Sequence, residues 1–297
     1  MPPDCRIPED VVRTMPVGCR FFRIFAVFLL VAAGVAAHAD ELMQIAPHPA
    51  ASTLEPLTGT PPLVGYLGRP DLPGRLPAVV ALHWCSGFGR HDIVAALTLK
   101  SWGYVALAPD SLGGANLCLR GSGGLAEAID AYAALHWLAS QDFVDRDRVA
   151  VIGYSMGGVA ALDAIERRTL ERAHPEHFRA AVAYYPACAG SSGNLTVPAL
   201  ILVGGRDDWT PAEACRRMVA HDSDIGVTRS PGEGVAAKLV VYPKATHAFD
   251  SPGDAHRYLS HFIEYDPDAT KDAEAQMRAF LHDAMSGTMR SDISRMP

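Results

Sequence analysis

The chain has 297 residues, of which 49% are hydrophobic and 20% are charged, so it has enough apolar material for a large core, and extended disorder is excluded. Its formal net charge is −7, and it carries no basic stripe of the kind that binds nucleic acid. These properties favour a small or neutral partner.

The N-terminal region has the pattern of a secretory signal peptide. The apolar stretch FFRIFAVFLLVAAGVAA is short for a membrane span, and the Ala-His-Ala triplet ending at Ala39 fits the site after which signal peptidase cleaves. Met15 is the expected start of translation, because the residues before it would make the charged region of the signal unusually long and include Asp4, Glu9 and Asp10. We interpret residues 1–39 as a signal peptide, with an uncleaved anchor as the alternative. Cleavage would leave residues 40–297 as a single exported domain without membrane contact.

Six short runs rich in Val, Ile, Leu and Tyr have the continuous apolar pattern of parallel strands buried on both faces. In chain order they are residues 76–84, 104–110, 148–155, 180–186, 198–205 and 237–243. A helix is expected over residues 125–140, where apolar residues recur three or four positions apart. Alternating strands and helices predict an α/β fold, in which a doubly wound, mostly parallel sheet carries helices on both faces.

A second helix is expected within the sequence TPAEAC. Thr210 is a candidate N-cap, Pro211 would occupy the first helical position, and Glu213 would close a capping box.

A serine flanked by glycines follows the third predicted strand. Gly153, Ser155 and Gly157 match the pattern G-x-S-x-G. A nucleophile on a tight strand-to-helix turn needs small neighbours, because strand and helix approach each other closely there. Folds of this class bind their ligands at the carboxyl edge of the sheet. We interpret Ser155 as a catalytic nucleophile, with a simple glycine-rich turn as the alternative.

A serine nucleophile needs a base and an acid that orients the base, and this fold class supplies them in the order Ser, Asp or Glu, His. Asp207 and Asp208 follow the fifth predicted strand, and His247 follows the sixth. Adjacent strand ends can bring such residues together. His247 is therefore the expected base, and either aspartate is a candidate for the acid.

An acyl-transfer site also needs two backbone N–H groups that face the developing oxyanion. One is expected from Met156, the residue after the nucleophile, and the other from the loop HWCSGFG that follows the first predicted strand.

The segments PAVVALHWCSG, WGYVALAPDS, GYSMGG, LVGGRDDWTP and YPKATHAF together resemble the dienelactone hydrolase family of α/β-hydrolases, over most of the chain after the signal segment. The resemblance implies an α/β-hydrolase fold. In the family the acid lies in G-x-x-D-x-x-x-P, a pattern that Gly204, Asp207 and Pro211 fit, so the resemblance favours Asp207 over Asp208. It also places the second oxyanion N–H on Cys85.

Two positions depart from the namesake enzymes. Those enzymes use a cysteine nucleophile where this chain has Ser155, and they tend to carry a carboxylate where it has Trp84; the first departure argues against dienelactone itself as the substrate. Trp84 and Trp209 are candidates for an apolar pocket wall, with burial in the core as the alternative. Arg90 and Arg120 are candidates for binding a substrate carboxylate, although surface exposure is the commoner fate of arginine.

Four cysteines follow the signal segment, and export to an oxidising compartment predicts disulfides, for which three connectivities exist. Cys85 and Cys118 lie in loops after neighbouring strands, and Cys188 and Cys215 lie after the next neighbouring pair. We predict the bridges Cys85–Cys118 and Cys188–Cys215, with four buried thiols as the alternative.

The combined expectation is hydrolysis of a small carboxylic ester or lactone through an acyl-enzyme, with no metal or organic cofactor. His174 and His177 have a spacing that a metal could use, but no third ligand is evident. A peptidase or acyltransferase with the same triad and a non-catalytic binding protein on the same fold are the alternatives. The sequence leaves the oligomeric state open.

Overall fold

The structure is a computed structural model, and it describes residues 41–45, 63–111, 113, 116–118, 124–220 and 233–286. The interpreted signal peptide and Arg120 lie outside the described residues.

The described residues contain one eight-stranded sheet whose spatial order is β1-β2-β4-β3-β5-β6-β7-β8. Its strands are β1 (Glu41–Ile45), β2 (Leu63–Gly68), β3 (Leu76–Leu82), β4 (Val105–Asp110), β5 (Val144–Tyr154), β6 (Ala181–Tyr184), β7 (Ala199–Gly204) and β8 (Ala237–Tyr242). Neighbours among β3 to β8 pair in parallel, whereas β2 is antiparallel to both β1 and β4. Each of the six predicted strands is present, which confirms the mostly parallel sheet.

Helices cover both faces of this sheet. They are α1 (Arg90–Ser101), α2 (Gly124–Ala139), α3 (Met156–Ile165), α4 (Thr169–Ala173), α5 (Ala212–Val219) and α6 (Pro267–Ser286). Apolar residues of α2, α3 and α5 pack on one face, and those of α1 and α6 pack on the other. Side chains alternate along β3, with Val80 and Leu82 in the first layer and Val79 and Ala81 in the second, because successive strand residues point to opposite faces.

The helix predicted over residues 125–140 is α2, displaced by one residue at each end. The predicted cap of α5 is wrong: α5 begins at Ala212 with Pro211 as its N-cap residue, and no side chain caps it. The Thr210 hydroxyl binds elsewhere, as described below.

A short antiparallel hairpin, β9 (His256–Tyr258) and β10 (His261–Ile263), follows the last strand of the sheet. It was not predicted from the sequence, and it joins the main fold through a bridge between His247 and Ile263. Among the described residues, no helix combines the length and hydropathy needed to cross a bilayer.

Two disulfides link loops of the fold. Cys85, after β3, is bonded to Cys118, and Cys188, after β6, is bonded to Cys215 on α5. The predicted pairing is therefore confirmed.

Candidate active site

Ser155 lies in the turn between β5 and α3, in a strained conformation with a positive φ of 52° and a ψ of −110°. A Cβ atom on Gly153 would collide with the backbone of Gly157, and a Cβ atom on Gly157 would lie 2.5 Å from the carbonyl oxygens of Leu82 and His83. Side chains larger than hydrogen are thus sterically excluded at both glycines. Because neither residue has a side chain, the turn can pack directly against the end of β3.

A continuous chain of short contacts runs from Ser155 to Asp207. The Ser155 Oγ lies 2.9 Å from the His247 Nε2, and the His247 Nδ1 lies 2.8 Å from the Asp207 Oδ2. All three residues are buried. A carboxylate only accepts, so the ring proton belongs on Nδ1, and Nε2 is left to accept the serine proton. This arrangement has the geometry needed for general-base activation of a hydroxyl.

The Asp207 carboxylate is held by hydrogen bonds at both oxygens. Its Oδ1 accepts from the backbone N–H groups of Trp209, at 2.9 Å, and Thr210, at 2.8 Å. Its Oδ2 accepts from the Thr210 hydroxyl at 2.8 Å as well as facing His247. These contacts fix the orientation of the carboxylate.

Thr210 is a member of the site that the sequence reasoning missed. Its Oγ1 is also 3.0 Å from the His247 Nδ1 and 3.1 Å from the carbonyl oxygen of Tyr185. A hydroxyl has one proton and two lone pairs, so it can donate to Asp207 while accepting from the ring N–H of His247. The T-P-x-E pattern predicts a helix cap, so the hydrogen bond of Thr210 to Asp207 was not predicted from the sequence.

Asp208 makes different contacts. Its Oδ1 lies 3.3 Å from the Nδ1 of His261, and its Oδ2 accepts from the backbone N–H of Phe262 at 3.4 Å. The side chain is about half exposed, at 49%. Asp208 therefore holds the β9–β10 hairpin, while Asp207 faces His247.

The two predicted oxyanion donors lie on elements that meet beside Ser155. Met156 is the first residue of α3, and the first N–H groups of a helix have no intrahelical acceptor. The Cys85 N–H makes no hydrogen bond with any other described residue, while its carbonyl accepts from Leu117 at 2.7 Å. The contact of Gly157 with the end of β3 brings these two elements together.

A buried histidine, also missed, holds the loop that carries Cys85. The His83 Nε2 accepts from the backbone N–H of Ser111 at 3.2 Å, so its Nδ1 carries the proton and donates to the carbonyl of Trp84 at 2.8 Å. The Glu127 Oε1 lies 3.5 Å from that Nδ1. Burial, reinforced by Asp92 and Asp130, raises the pKa of Glu127 well above its usual range, which favours the neutral form of this carboxyl group.

A second polar cluster is connected to His247 through Tyr185. The His91 Nε2 lies 3.4 Å from the Asp250 Oδ2, and the Tyr185 hydroxyl donates to the Asp250 Oδ1 at 2.7 Å. The Tyr185 ring packs edge-on against His247, with centroids 4.8 Å apart. Burial opposes a charge on His91, but the carboxylates of Asp250 and Asp92 outweigh it and raise the pKa of His91 from 6.5 to about 10.

The predicted pocket residues Trp84 and Trp209 lie in two different places. Trp84 stacks on His91, with centroids 4.8 Å apart, and it lines a cavity of about 630 Å³ between α1 and α6 together with Arg90. The described lining of this cavity includes Asp250 but none of the three residues of the Ser-His-Asp chain. Trp209, in contrast, packs against His247, with centroids 4.9 Å apart.

The other histidines considered for a metal make protein contacts. His174 stacks on Tyr132, with centroids 4.2 Å apart, and the His177 Nδ1 lies 3.5 Å from Glu171. In the part of the chain that the structure describes, no group of three or more His, Cys, Asp or Glu side chains is placed to hold a metal ion.

The chain is similar in sequence to known proteins. Residues 63–285 match the model of the Dienelactone hydrolase family. A Bradyrhizobium sp protein named "Probable 2-oxo-3-(5-oxofuran-2-ylidene)propanoate lactonase" is 26% identical over 226 residues, which cover 66% of this chain and 83% of that protein. Dipeptidyl peptidase 8 of Mus musculus is 38% identical over 199 residues, which cover 57% of this chain and only 22% of the peptidase.

Solved structures share the fold. A dienelactone hydrolase-like promiscuous phosphotriesterase from metagenomic libraries superposes with a TM-score of 0.62 at 20% identity, covering 83% of this chain and 98% of that one. At this identity the likeness is one of fold.

Proposed function

The chain belongs to the dienelactone hydrolase family, and we propose that it is a serine hydrolase that cleaves small carboxylic esters or lactones through an acyl-enzyme on Ser155. The observation that carries the proposal is the unbroken chain of contacts from the Ser155 Oγ through His247 to Asp207, at 2.9 Å and 2.8 Å. The family match and the lactonase name of a relative support the ester or lactone class.

In the proposed reaction, His247 Nε2 takes the proton of Ser155 as its Oγ attacks the substrate carbonyl. Asp207 keeps the ring in the required tautomer and stabilises the imidazolium. The N–H groups of Met156 and Cys85 donate to the oxyanion of the tetrahedral intermediate. His247 then gives its proton to the leaving alcohol oxygen, and water hydrolyses the acyl-enzyme by the same route. None of these steps requires a metal or organic cofactor.

The test is a comparison of wild-type protein, Ser155→Ala and Ser140→Ala on nitrophenyl esters and simple lactones. Ser140 is an exposed serine at the end of α2 and serves as the matched control. Ser155→Ala should lower kcat/KM by at least about 10³-fold with folding intact, while Ser140→Ala should match wild type. Equal rates in wild type and Ser155→Ala would contradict the proposal.

Peptidase activity is a second candidate, favoured by the 38% identity to part of Dipeptidyl peptidase 8. The same triad chemistry cleaves amides. Aminoacyl nitroanilides assayed beside the nitrophenyl esters separate the two, since a peptidase would turn over the anilides through Ser155, whereas an ester or lactone hydrolase would leave them uncleaved.

We also propose that the protein is exported with residues 1–39 removed. Two disulfides support this, because such bonds persist in oxidising compartments, and the apolar segment before Ala39 supports it independently. N-terminal sequencing of the mature protein should find Asp40 first. A mature chain that retains the apolar segment would favour the anchor alternative.

A further inference from the structure

Three aromatic side chains form a continuous surface beside His247, which we name the aromatic stack: Trp209, Tyr258 and His261. Trp209 lies at its centre, parallel to the ring of His261 with centroids 4.6 Å apart and an interplanar angle of 11°. Its centroid is 5.9 Å from that of Tyr258 and 4.9 Å from that of His247. All three members of the stack are only partly buried, so the stack reaches the protein surface.

The stack is held in position from several directions. Asp208 binds both His261 and the backbone of Phe262, and the Tyr258 hydroxyl accepts from the Asn116 side chain at 2.9 Å. Asn116 lies two residues before Cys118, whose disulfide partner Cys85 carries a predicted oxyanion donor. The hairpin that carries Tyr258 and His261 is therefore linked to the loop that carries Cys85.

The turn of this hairpin is itself unusual. Leu259 and Ser260 both adopt left-handed conformations, with φ values of 48° and 72°. A two-residue turn with two positive φ values matches the twist of paired strands, but residues other than Gly, Asn and Asp adopt it at a cost. Leu259 is also 38% exposed. Such strain persists where surrounding contacts fix the backbone, and it is found at ligand-binding sites.

The position of the stack identifies which part of a substrate it would contact. In acyl transfer His247 donates a proton to the leaving oxygen, so the alcohol portion of an ester lies on the His247 side of Ser155. Trp209 contacts His247 on that side. The Asp208 carboxylate lies beside His261 and would repel an anionic group there, so the stack is suited to an uncharged ring.

We propose that the aromatic stack binds the alcohol portion of the substrate and makes the enzyme selective for esters of planar aromatic alcohols. This inference rests on the proposed function. A flat ring can stack on Trp209 and Tyr258, whereas a short alkyl group covers little of either. The selectivity acts in acylation, because the alcohol has left before water attacks the acyl-enzyme.

The experiment compares aryl acetates with an alkyl acetate whose alcohol has a similar acidity. Both esters give the same acetyl-enzyme, so differences between them arise in acylation alone. Trp209→Ala and Tyr258→Ala should each lower kcat/KM for the aryl acetates by about 10-fold more than for the alkyl acetate. The decay rate of the acetyl-enzyme, followed by mass spectrometry, should be the same in each variant whichever acetate formed it, and Trp209→Phe should restore most of the selectivity.

Phe262→Ala is the matched control, because Phe262 is in the same hairpin but alternates with His261 along β10 and points to the other face. It should leave the selectivity unchanged. Equal losses for aryl and alkyl acetates in the Trp209 and Tyr258 variants, with acetyl-enzyme still formed, would overturn the role of the stack. Failure of the wild-type protein to form any acetyl-enzyme would instead overturn the proposed function on which it rests.

Discussion

Asp207 and Asp208 are adjacent in the chain, but their carboxylates contact opposite parts of the site. The Asp207 Oδ2 lies 2.8 Å from His247, and the Asp208 Oδ1 lies 3.3 Å from His261 in the β9–β10 hairpin. Asp207 is buried, whereas Asp208 is about half exposed. One carboxylate therefore orients the histidine of the Ser-His-Asp chain, and its neighbour anchors the hairpin.

This difference predicts unequal effects of two matched substitutions. Asp207→Asn should lower kcat by about 10³-fold or more, because an amide at this position favours the wrong histidine tautomer. Asp208→Asn should lower kcat less than about 10-fold, because hydrogen bonding to the hairpin is weakened at an exposed position. Steady-state kinetics on one nitrophenyl ester checks both. Comparable losses in the two variants would contradict the assignment of Asp207 as the acid.

Thr210 provides a second test, of the support behind the acid. Thr210→Val keeps the shape of the side chain but removes the hydroxyl that binds the Asp207 Oδ2 at 2.8 Å. We expect kcat to fall by roughly 10-fold with KM little changed, since a hydrogen bond to a charged group contributes about 1.5–3 kcal/mol. Thr210→Ser should recover most of the activity. If Thr210→Ser loses activity while Thr210→Val keeps it, packing of the methyl group rather than the hydroxyl is responsible.

Removal of each of the two disulfides gives a further pair of matched variants. Their cysteines are 33 and 27 residues apart, so removing either bridge should destabilise the fold by a similar amount, about 2–4 kcal/mol. Only Cys85–Cys118 joins the loop that carries a predicted oxyanion donor. Replacing both of its cysteines by serine should therefore also lower kcat by about 10-fold, since small displacements of such donors are costly.

The second bridge supplies the control for this prediction. Replacing Cys188 and Cys215 by serine should lower the free energy of unfolding in the same way, with kcat close to that of wild type. Thermal unfolding and ester kinetics on both double variants give the two readouts. Equal activity in the two variants would show that the Cys85–Cys118 bridge does not position the oxyanion loop.

Steric contacts and sheet topology explain which parts of this site could be predicted from the sequence. Gly153 is required by its contact with the backbone of Gly157, and Gly157 by its close approach to the end of β3; both requirements fall on a short G-x-S-x-G pattern, so the turn is visible in the sequence. Asp207 and His247 are 40 residues apart, but both follow parallel strands, and strand ends meet at one edge. The contact between His91 and Asp250 spans 159 residues and follows no such rule. The strands of the β9–β10 hairpin have three residues each, too few for a periodic pattern.

The buried His91 predicts how stability changes with pH. Its pKa is about 10 in the folded protein and 6.5 as the ordinary value, so the folded state binds its proton more tightly than the unfolded state. The resulting stabilisation is fully present below pH 6.5 and is lost as the pH rises to about 10. At neutral pH it is on the order of 4 kcal/mol.

His91→Gln isolates this contribution, because glutamine has no proton to bind in this range. The variant also loses the stacking of His91 on Trp84, which is independent of pH, so the difference in free energy of unfolding between wild type and variant is the informative quantity. It should be largest at pH 6 to 6.5 and shrink steadily towards pH 10. Urea unfolding at intervals across this range measures it. His282→Gln, at a side chain that is 77% exposed, is the matched control and should change the free energy of unfolding little. A constant difference for His91→Gln would mean that the ion pair with Asp250 does not hold the charge of His91.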